Sequence, residues 1–248
     1  MKVFGLIGKT LKHSFSKNYF SEKFSSEQLA DCRYENFELQ SIDELKEIIR
    51  QRPEIMGLNV TIPYKEEVVQ LLDEKNEIVE KTGACNCIRV DSGRLFGFNT
   101  DVIGFKRSLE PALRPDHTCA LILGSGGAAK AVEYALNELK IDHVIVSRNK
   151  KFDQFGYEDL GEDVIKGHKL IINTTPLGMF PNTNQDPPIP YEYITPDHIL
   201  YDLIYNPPKT QFLQKGEKQG AHIINGHEML IIQAEESWKI WTGQAQAH

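Results

Sequence analysis

Cys119-Ala-Leu-Ile-Leu123 is a continuous apolar run of strand length that leads directly into Gly124-Ser-Gly-Gly-Ala-Ala129 and then a helical stretch, Lys130 to Leu139. This is the G-x-G-x-x-A form of the dinucleotide fingerprint in the strand, turn and helix context it requires. Gly124 permits the tight turn, Gly126 lets a pyrophosphate approach the backbone, and Ala129 allows close packing of helix on sheet. The helix N-terminus offers unpaired N–H groups to phosphates. A second strand, His143-Val-Ile-Val146, follows at the right distance. Gly124, Ser125, Gly126, Gly127 and Ala128 are therefore candidate cofactor residues.

The end of that second strand selects the nucleotide. Chains that bind NAD usually place Asp or Glu there, bonded to the ribose 2′-hydroxyl. Here the sequence reads Ser147-Arg148-Asn149-Lys150-Lys151. A carboxylate would repel a 2′-phosphate, whereas a guanidinium pairs with it in a forked geometry. The reading is NADP, with Arg148 at the phosphate; a solvated basic loop is the plain alternative. Lys169 to Asn173 and Ile199 to Asp202 read as further strands ending in polar loops. Both end at the edge of the glycine loop if all strands run parallel.

In the N-terminal half, Asn59-Val-Thr-Ile-Pro-Tyr-Lys65 completes a strand over Met56–Thr61 and places Lys65 in the first turn of an expected helix. Pro63 suits the first helical position because it has no N–H to leave unpaired. A cation at that end of a helix faces the positive pole of the macrodipole, which favours release of its proton. A surface lysine beside Glu66 and Glu67 is the bland reading. The segment 83–90, the turn Asp91-Ser-Gly93 and Arg94–Phe98 read as a β-hairpin. Gly97-Phe-Asn-Thr-Asp101 follows, with Asp101 as a helix N-cap or as a carboxylate facing Lys65. An ion pair between the two would oppose the dipole effect. Val3 to Gly8 is another short strand. The hydroxyls of Ser14 and Ser16 after it are either helix caps or groups presented to a polyhydroxylated ligand. Near the C-terminus, apolar positions near 229, 232, 238 and 241 fit one helix face, and Gln233 lies close to it, aimed either inward or at solvent.

The chain has 248 residues, a length that suits two modest domains or one large one, and a net charge of −7, which gives no basic surface for nucleic acid. No run reaches transmembrane length. The N-terminus enters a strand almost at once, so no signal peptide is expected. The four cysteines include no C-x-x-C pair, and the eight histidines lack ligand spacing, so no metal is expected. Reduced thiols in the cytoplasm are the default. Pro181 to Pro196 contains five prolines and reads as a surface excursion.

Taken together, Asn59-Val-Thr61-Ile-Pro-Tyr-Lys65, Gly97-Phe-Asn99-Thr-Asp101, Gly124-Ser-Gly-Gly-Ala128 and Met229-Leu-Ile-Ile-Gln233-Ala resemble the shikimate dehydrogenase family over nearly the whole chain. The resemblance implies an α/β fold: an N-terminal substrate domain with a mostly parallel sheet (1–100, with 226–248 returning to it as a packed C-terminal helix), and a Rossmann-type NADP-binding domain (101–225). It implies reversible NADPH-dependent reduction of 3-dehydroshikimate to shikimate, in aromatic amino-acid biosynthesis, by a cytoplasmic monomer or homodimer. Lys65 and Asp101 would form the catalytic pair. Ser14, Ser16, Thr61, Asn86, Tyr205 and Gln233 would hold the substrate, with Asp101, while Leu203 and Gly226 would meet the nicotinamide end of the cofactor. The active site would lie in a cleft between the domains, with hinge closure. Lys17 stands where the family usually has proline, which predicts a looser loop. Cys85 and Cys87 flank the family asparagine. Val102 replaces a glycine, which predicts a local difference if φ is positive there. Two alternatives remain: a quinate/shikimate dehydrogenase that uses NAD as readily, and a non-catalytic dinucleotide-binding homologue.

Overall fold

The computed structural model describes residues 1–11 and 15–244. In it the chain forms two units, Met1–Thr100 with the segment from Gln233 onward, and Asp101–Ile232.

The first unit contains β1 (Lys2–Gly8), α1 (Phe15–Ser26), β2 (Cys32–Glu38), α2 (Glu44–Gln51), β3 (Ile55–Val60), β4 (Glu74–Lys75), α3 (Glu77–Thr82), β5 (Cys87–Asp91) and β6 (Arg94–Phe98). They build a six-stranded sheet in the order β2-β1-β3-β5-β6-β4. β1 pairs in parallel with β2 and β3, whereas β5 runs antiparallel to both β3 and β6. The expected hairpin is present, and its two-residue turn puts Ser92 at φ 52° and Gly93 at φ 80°, the left-handed pair that matches strand twist.

Alternation along β1 sends Val3 and Ile7 into one core, with Leu58, Val60 and Ile88, and Phe4 and Leu6 into another, with Phe20, Phe24, Trp238 and Trp241. Both sheet faces are thus covered. The second layer includes α8 (His227–Trp241), whose C-terminal turns pack on this unit as expected. Phe4 lies 5.2 Å from the rings of both Trp238 and Trp241. A Cβ on Gly57 would fall 2.3 Å from the Trp241 ring, so the glycine makes the seat for the indole, whose Nε1–H donates to the Ile88 carbonyl at 2.9 Å.

The second unit continues with α4 (Thr100–Leu109), β7 (Cys119–Leu123), α5 (Gly127–Glu138), β8 (Asp142–Val146), α6 (Glu162–Gly167), β9 (Leu170–Asn173), β10 (Ile199–Asp202), α7 (Gln211–Lys218) and β11 (His222–Ile224). All five strands run parallel, in the order β11-β10-β9-β7-β8. From β7 the chain turns to β8 on one side and to β9 on the other. The C-terminal end of β7, followed by Gly124, is therefore a topological switch point, where open α/β sheets place ligands.

Five expectations need correction. No α-helix begins at Lys65: residues 62–66 form turns, followed by a short 3-10 helix, Glu67–Leu71. The macrodipole argument for that lysine therefore lapses. Asp101 lies inside the first turn of α4 and does not cap it. Val102 is absent from the positive-φ positions and sits buried in α4, so the loss of glycine carries no backbone strain. The proline-rich segment is more than a surface excursion, because Ile189 and Ile194 enter the second unit's core. Lys17, expected in a loop, lies within α1.

Candidate functional site

Lys65 is partly buried, and its position is set by main-chain bonds. Cys85 N–H donates to the Lys65 carbonyl at 2.8 Å. The preceding residue, Tyr64, is buried and donates its hydroxyl to the Leu39 carbonyl at 2.6 Å. Asn86 follows Cys85 and is 3 % exposed. Its Oδ1 accepts the Thr100 N–H at 2.7 Å, and its Nδ2 donates to Thr100 Oγ1 at 3.0 Å. Asp101 is the next residue in the chain, with 7 % exposure. The segments that carry Lys65, Asn86 and Thr100, the residue before Asp101, are thus tied together through backbone and amide bonds.

Thr61, partly buried, directly follows β3, and its N–H donates to the Ile7 carbonyl at 2.9 Å. Ser16 lies in the first turn of α1 and hydrogen-bonds the buried Tyr34 hydroxyl. Gln233 is 5 % exposed on α8, which decides for the inward orientation. Ser14 lies outside the described residues. Tyr205 is half-buried in the loop after β10.

In the second unit the glycine loop has the form a pyrophosphate needs. Gly124 adopts φ +108°, and a Cβ there would fall 2.7 Å from Thr174 Oγ1, so only glycine fits the turn. Around Gly126 no atom lies within 4 Å of the corresponding position, leaving space above the backbone. α5 begins at Gly127 with no side-chain cap and no acidic residue in its first turn, so its leading N–H groups suit an anion. Ser125 belongs to the same loop, Ala128 lies in the first turn of α5, and Ala129 is fully buried. β8 ends at Val146, and Ser147 N–H is fixed to the Phe155 carbonyl at 2.9 Å. Arg148 and Asn149 form an exposed turn. At the other side of the sheet a Cβ on Gly226 would fall 2.1 Å from the Leu203 carbonyl oxygen. These two candidates for the nicotinamide end are therefore in direct backbone contact, and glycine is required by that close approach. The residues present fit NADP.

One cluster escaped the sequence reading. Asp202, buried at the end of β10, accepts from Asn173 Nδ2 at 3.0 Å, Ile204 N–H at 3.1 Å and Thr210 Oγ1 at 2.5 Å. Asn173 in turn accepts from Thr175 N–H at 3.0 Å, and Thr174 Oγ1 donates to the Leu123 carbonyl at 2.7 Å. The loops that meet Gly124 and Leu203 are thereby fixed to one carboxylate. Burial pushes that carboxyl up to about 6 in spite of its donors. An unfolded aspartate titrates near ~3.9, so between about pH 4 and 6 the folded state binds more protons than the unfolded chain, and this group's contribution to stability falls as pH rises. The full shift corresponds to roughly 3 kcal/mol. Asp202→Asn should therefore give a flatter stability curve across that window, read by urea unfolding at a series of pH values. Parallel curves for variant and parent would refute this.

Among the described residues no group of three or more His, Cys, Asp or Glu is placed to hold a metal ion. Cys85 and Cys87 are buried and form no disulfide. No helix among the described residues is long and apolar enough to cross a membrane.

Residues 6–88 match the family model described as the shikimate dehydrogenase substrate binding domain. A shikimate dehydrogenase (NADP(+)) of Caldicellulosiruptor saccharolyticus is 38 % identical over 97 % of this chain and 92 % of its own length. The crystal structure of shikimate dehydrogenase 1 from Peptoclostridium difficile superposes with a TM-score of 0.85 at 35 % identity, covering 98 % of this chain and 92 % of that one. That of the Thermus thermophilus enzyme, in complex with NADP(H) and shikimate, gives 0.87 at 28 % identity, covering 98 % and 94 %. With identity of this order across its whole length, and a Rossmann-type unit shaped for a dinucleotide, the chain belongs to the shikimate dehydrogenase family.

Proposed function

We propose that Lys65 and Asp101 perform the proton chemistry of the family reaction, the reversible reduction of 3-dehydroshikimate to shikimate. The chain is an NADP-dependent oxidoreductase acting on a CH–OH group, as its relatives are. The observation that carries the assignment is the bonded path from the Lys65 carbonyl through Cys85 and Asn86 to Thr100, the residue before Asp101.

NADPH supplies the hydride when bound. Reduction of a ketone builds negative charge on its oxygen, and a protonated Lys65 within hydrogen-bond reach both stabilises that charge and delivers the proton. Asp101 orients the ammonium and accepts a hydrogen bond from a neighbouring substrate hydroxyl. In the reverse direction the neutral lysine takes the proton back. Asn86, Gln233, Thr61 and Tyr205 hold hydroxyls. Ser14 and Ser16 receive the carboxylate, with Lys17 adding positive charge. Gly124, Ser125, Gly126, Gly127 and Ala128 would cradle the pyrophosphate, Ser147, Arg148 and Asn149 the 2′-phosphate, and Leu203 and Gly226 the nicotinamide end. With a net charge of −7 the enzyme works on small molecules in the cytoplasm, away from nucleic acid and membrane, as a monomer or homodimer.

The test is absorbance at the nicotinamide band. NADPH should be oxidised in the presence of 3-dehydroshikimate, and NADH far more slowly. Comparable rates with both nucleotides would move the reading to the dual-cofactor enzyme, and oxidation of neither would leave a dinucleotide binder.

A further inference from the structure

Three of the substrate-binding candidates, Ser16, Asn86 and Gln233, are joined by one buried polar network within the first unit. Ser237 lies at its centre and is fully buried. It sits four residues after Gln233 on α8 and donates to the Gln233 carbonyl at 2.8 Å. That bond uses its only proton, so its oxygen must accept at its other contacts. Asn59 Nδ2 donates to it at 3.0 Å. The Thr100 hydroxyl lies 3.2 Å from Ser237 Oγ and 3.2 Å from Asn86 Oδ1, so its proton serves one of these two acceptors.

Proton accounting fixes the rest. Thr100 Oγ1 accepts from Asn86 Nδ2 at 3.0 Å, and the Thr100 main-chain N–H can only donate. The Asn86 amide therefore stands with its oxygen on the Thr100 N–H, 2.7 Å away. On the other side Asn59 Oδ1 accepts the Tyr34 hydroxyl at 2.8 Å. Tyr34 in turn is hydrogen-bonded by Ser16. The amide orientations of Asn59 and Asn86 are thus fixed by their partners, and reversing either would set donor against donor or acceptor against acceptor.

We propose that Ser237 and Tyr34 are positioning residues for substrate: neither is assigned a substrate contact, and together they fix Asn59, whose Nδ2 also donates to the Asn86 carbonyl at 3.4 Å, and through it the placement of Asn86 and of the turn that carries Gln233. The proposal rests on reading Asn86 and Gln233 as substrate ligands. Packing alone does not call for this arrangement, since alanine at 237 and phenylalanine at 34 would satisfy an apolar core of the same shape.

Ser237→Ala and Tyr34→Phe test it, measured beside Asn86→Ala and Gln233→Ala. Both positioning variants should raise KM for shikimate about tenfold, the effect expected of a disordered buried hydrogen bond, with a smaller change in kcat and KM for NADP within about twofold. A merely structural role would lower Tm and leave the substrate KM in place. If Ser237→Ala fails to fold, Tyr34→Phe, which keeps the ring, decides alone. Substrate KM unchanged in the folded positioning variants, but raised in Asn86→Ala and Gln233→Ala, would overturn the network role while sparing the ligand assignment. KM unchanged in all four would overturn both.

Discussion

Lys65→Ala should lower kcat for reduction of 3-dehydroshikimate by about 10²–10⁴-fold, the range of a general acid's contribution, while NADPH binding stays within about twofold. The substitution keeps two bonds that fix the path of this segment. The Cys85 N–H bond goes to the Lys65 main-chain carbonyl, and the anchor to Leu39 belongs to Tyr64. Truncation at Cβ leaves both in place, so the fold should survive and the loss should report chemistry. Lys65→Arg sharpens the test. A guanidinium keeps the positive charge but does not give up its proton near neutral pH, and its planar fork is wider than an ammonium. If the charge alone mattered, arginine would restore much of the rate; if the proton matters, it should not. Steady-state rates with both substrates saturating, together with fluorescence titration of NADPH, separate the two steps. Undiminished turnover in Lys65→Ala would end the assignment of this residue as the acid.

The sequence was most informative where one local rule governs one local structure. The run 119–123, the glycines after it and the helix that follows obey strand, turn and helix rules within twenty residues, and they appear as written. The Ser-Gly hairpin turn behaves the same way. Lys65 shows the limit. Proline near the start of a polar run is a good helix signal, yet this segment forms turns and a short 3-10 helix, because Tyr64 is bonded to Leu39, 25 residues earlier, and the Lys65 carbonyl to Cys85, 20 residues later. β2 and β11 went unread for a related reason. Cys32–Glu38 is polar at most positions and His222–Ile224 is three residues long, so neither has an apolar pattern of its own, and each is a strand because an edge of its sheet accepts it. Ser237 and Asp202 are the least legible. Serine in a helix and aspartate after an apolar run both read as surface residues; only the partners brought by tertiary structure make them buried hubs. For Ser237 one signal was available, its place four residues after Gln233 on the same helix face.

Arg148→Ala should weaken NADPH by about 10- to 100-fold, the loss of a charge-assisted bond worth roughly 1.5–3 kcal/mol, and leave NADH nearly unchanged. The turn after β8 distributes its cations unevenly. Lys150 is held by Asp159 at 2.7 Å and by Glu158 at 3.2 Å, so its charge is already neutralised by its own neighbours. Arg148 makes no ion pair among the described residues and stands exposed directly after Ser147, the position at which an NAD enzyme would offer a carboxylate. It bears electrostatically on Tyr157, whose hydroxyl burial pushes up and the guanidinium partly offsets. A phenol does not compete with a dianionic phosphate for that guanidinium. The 2′-phosphate therefore gains a forked partner without breaking an existing pair, which is why the discrimination should fall on Arg148 and why Lys150→Ala should change little. The measurement is the ratio of KM values for the two nucleotides at fixed ionic strength, since an exposed pair is screened by salt. Equal losses for NADPH and NADH in Arg148→Ala would mean that the arginine supports the shared part of the cofactor, and the source of NADP preference would have to be sought away from this turn.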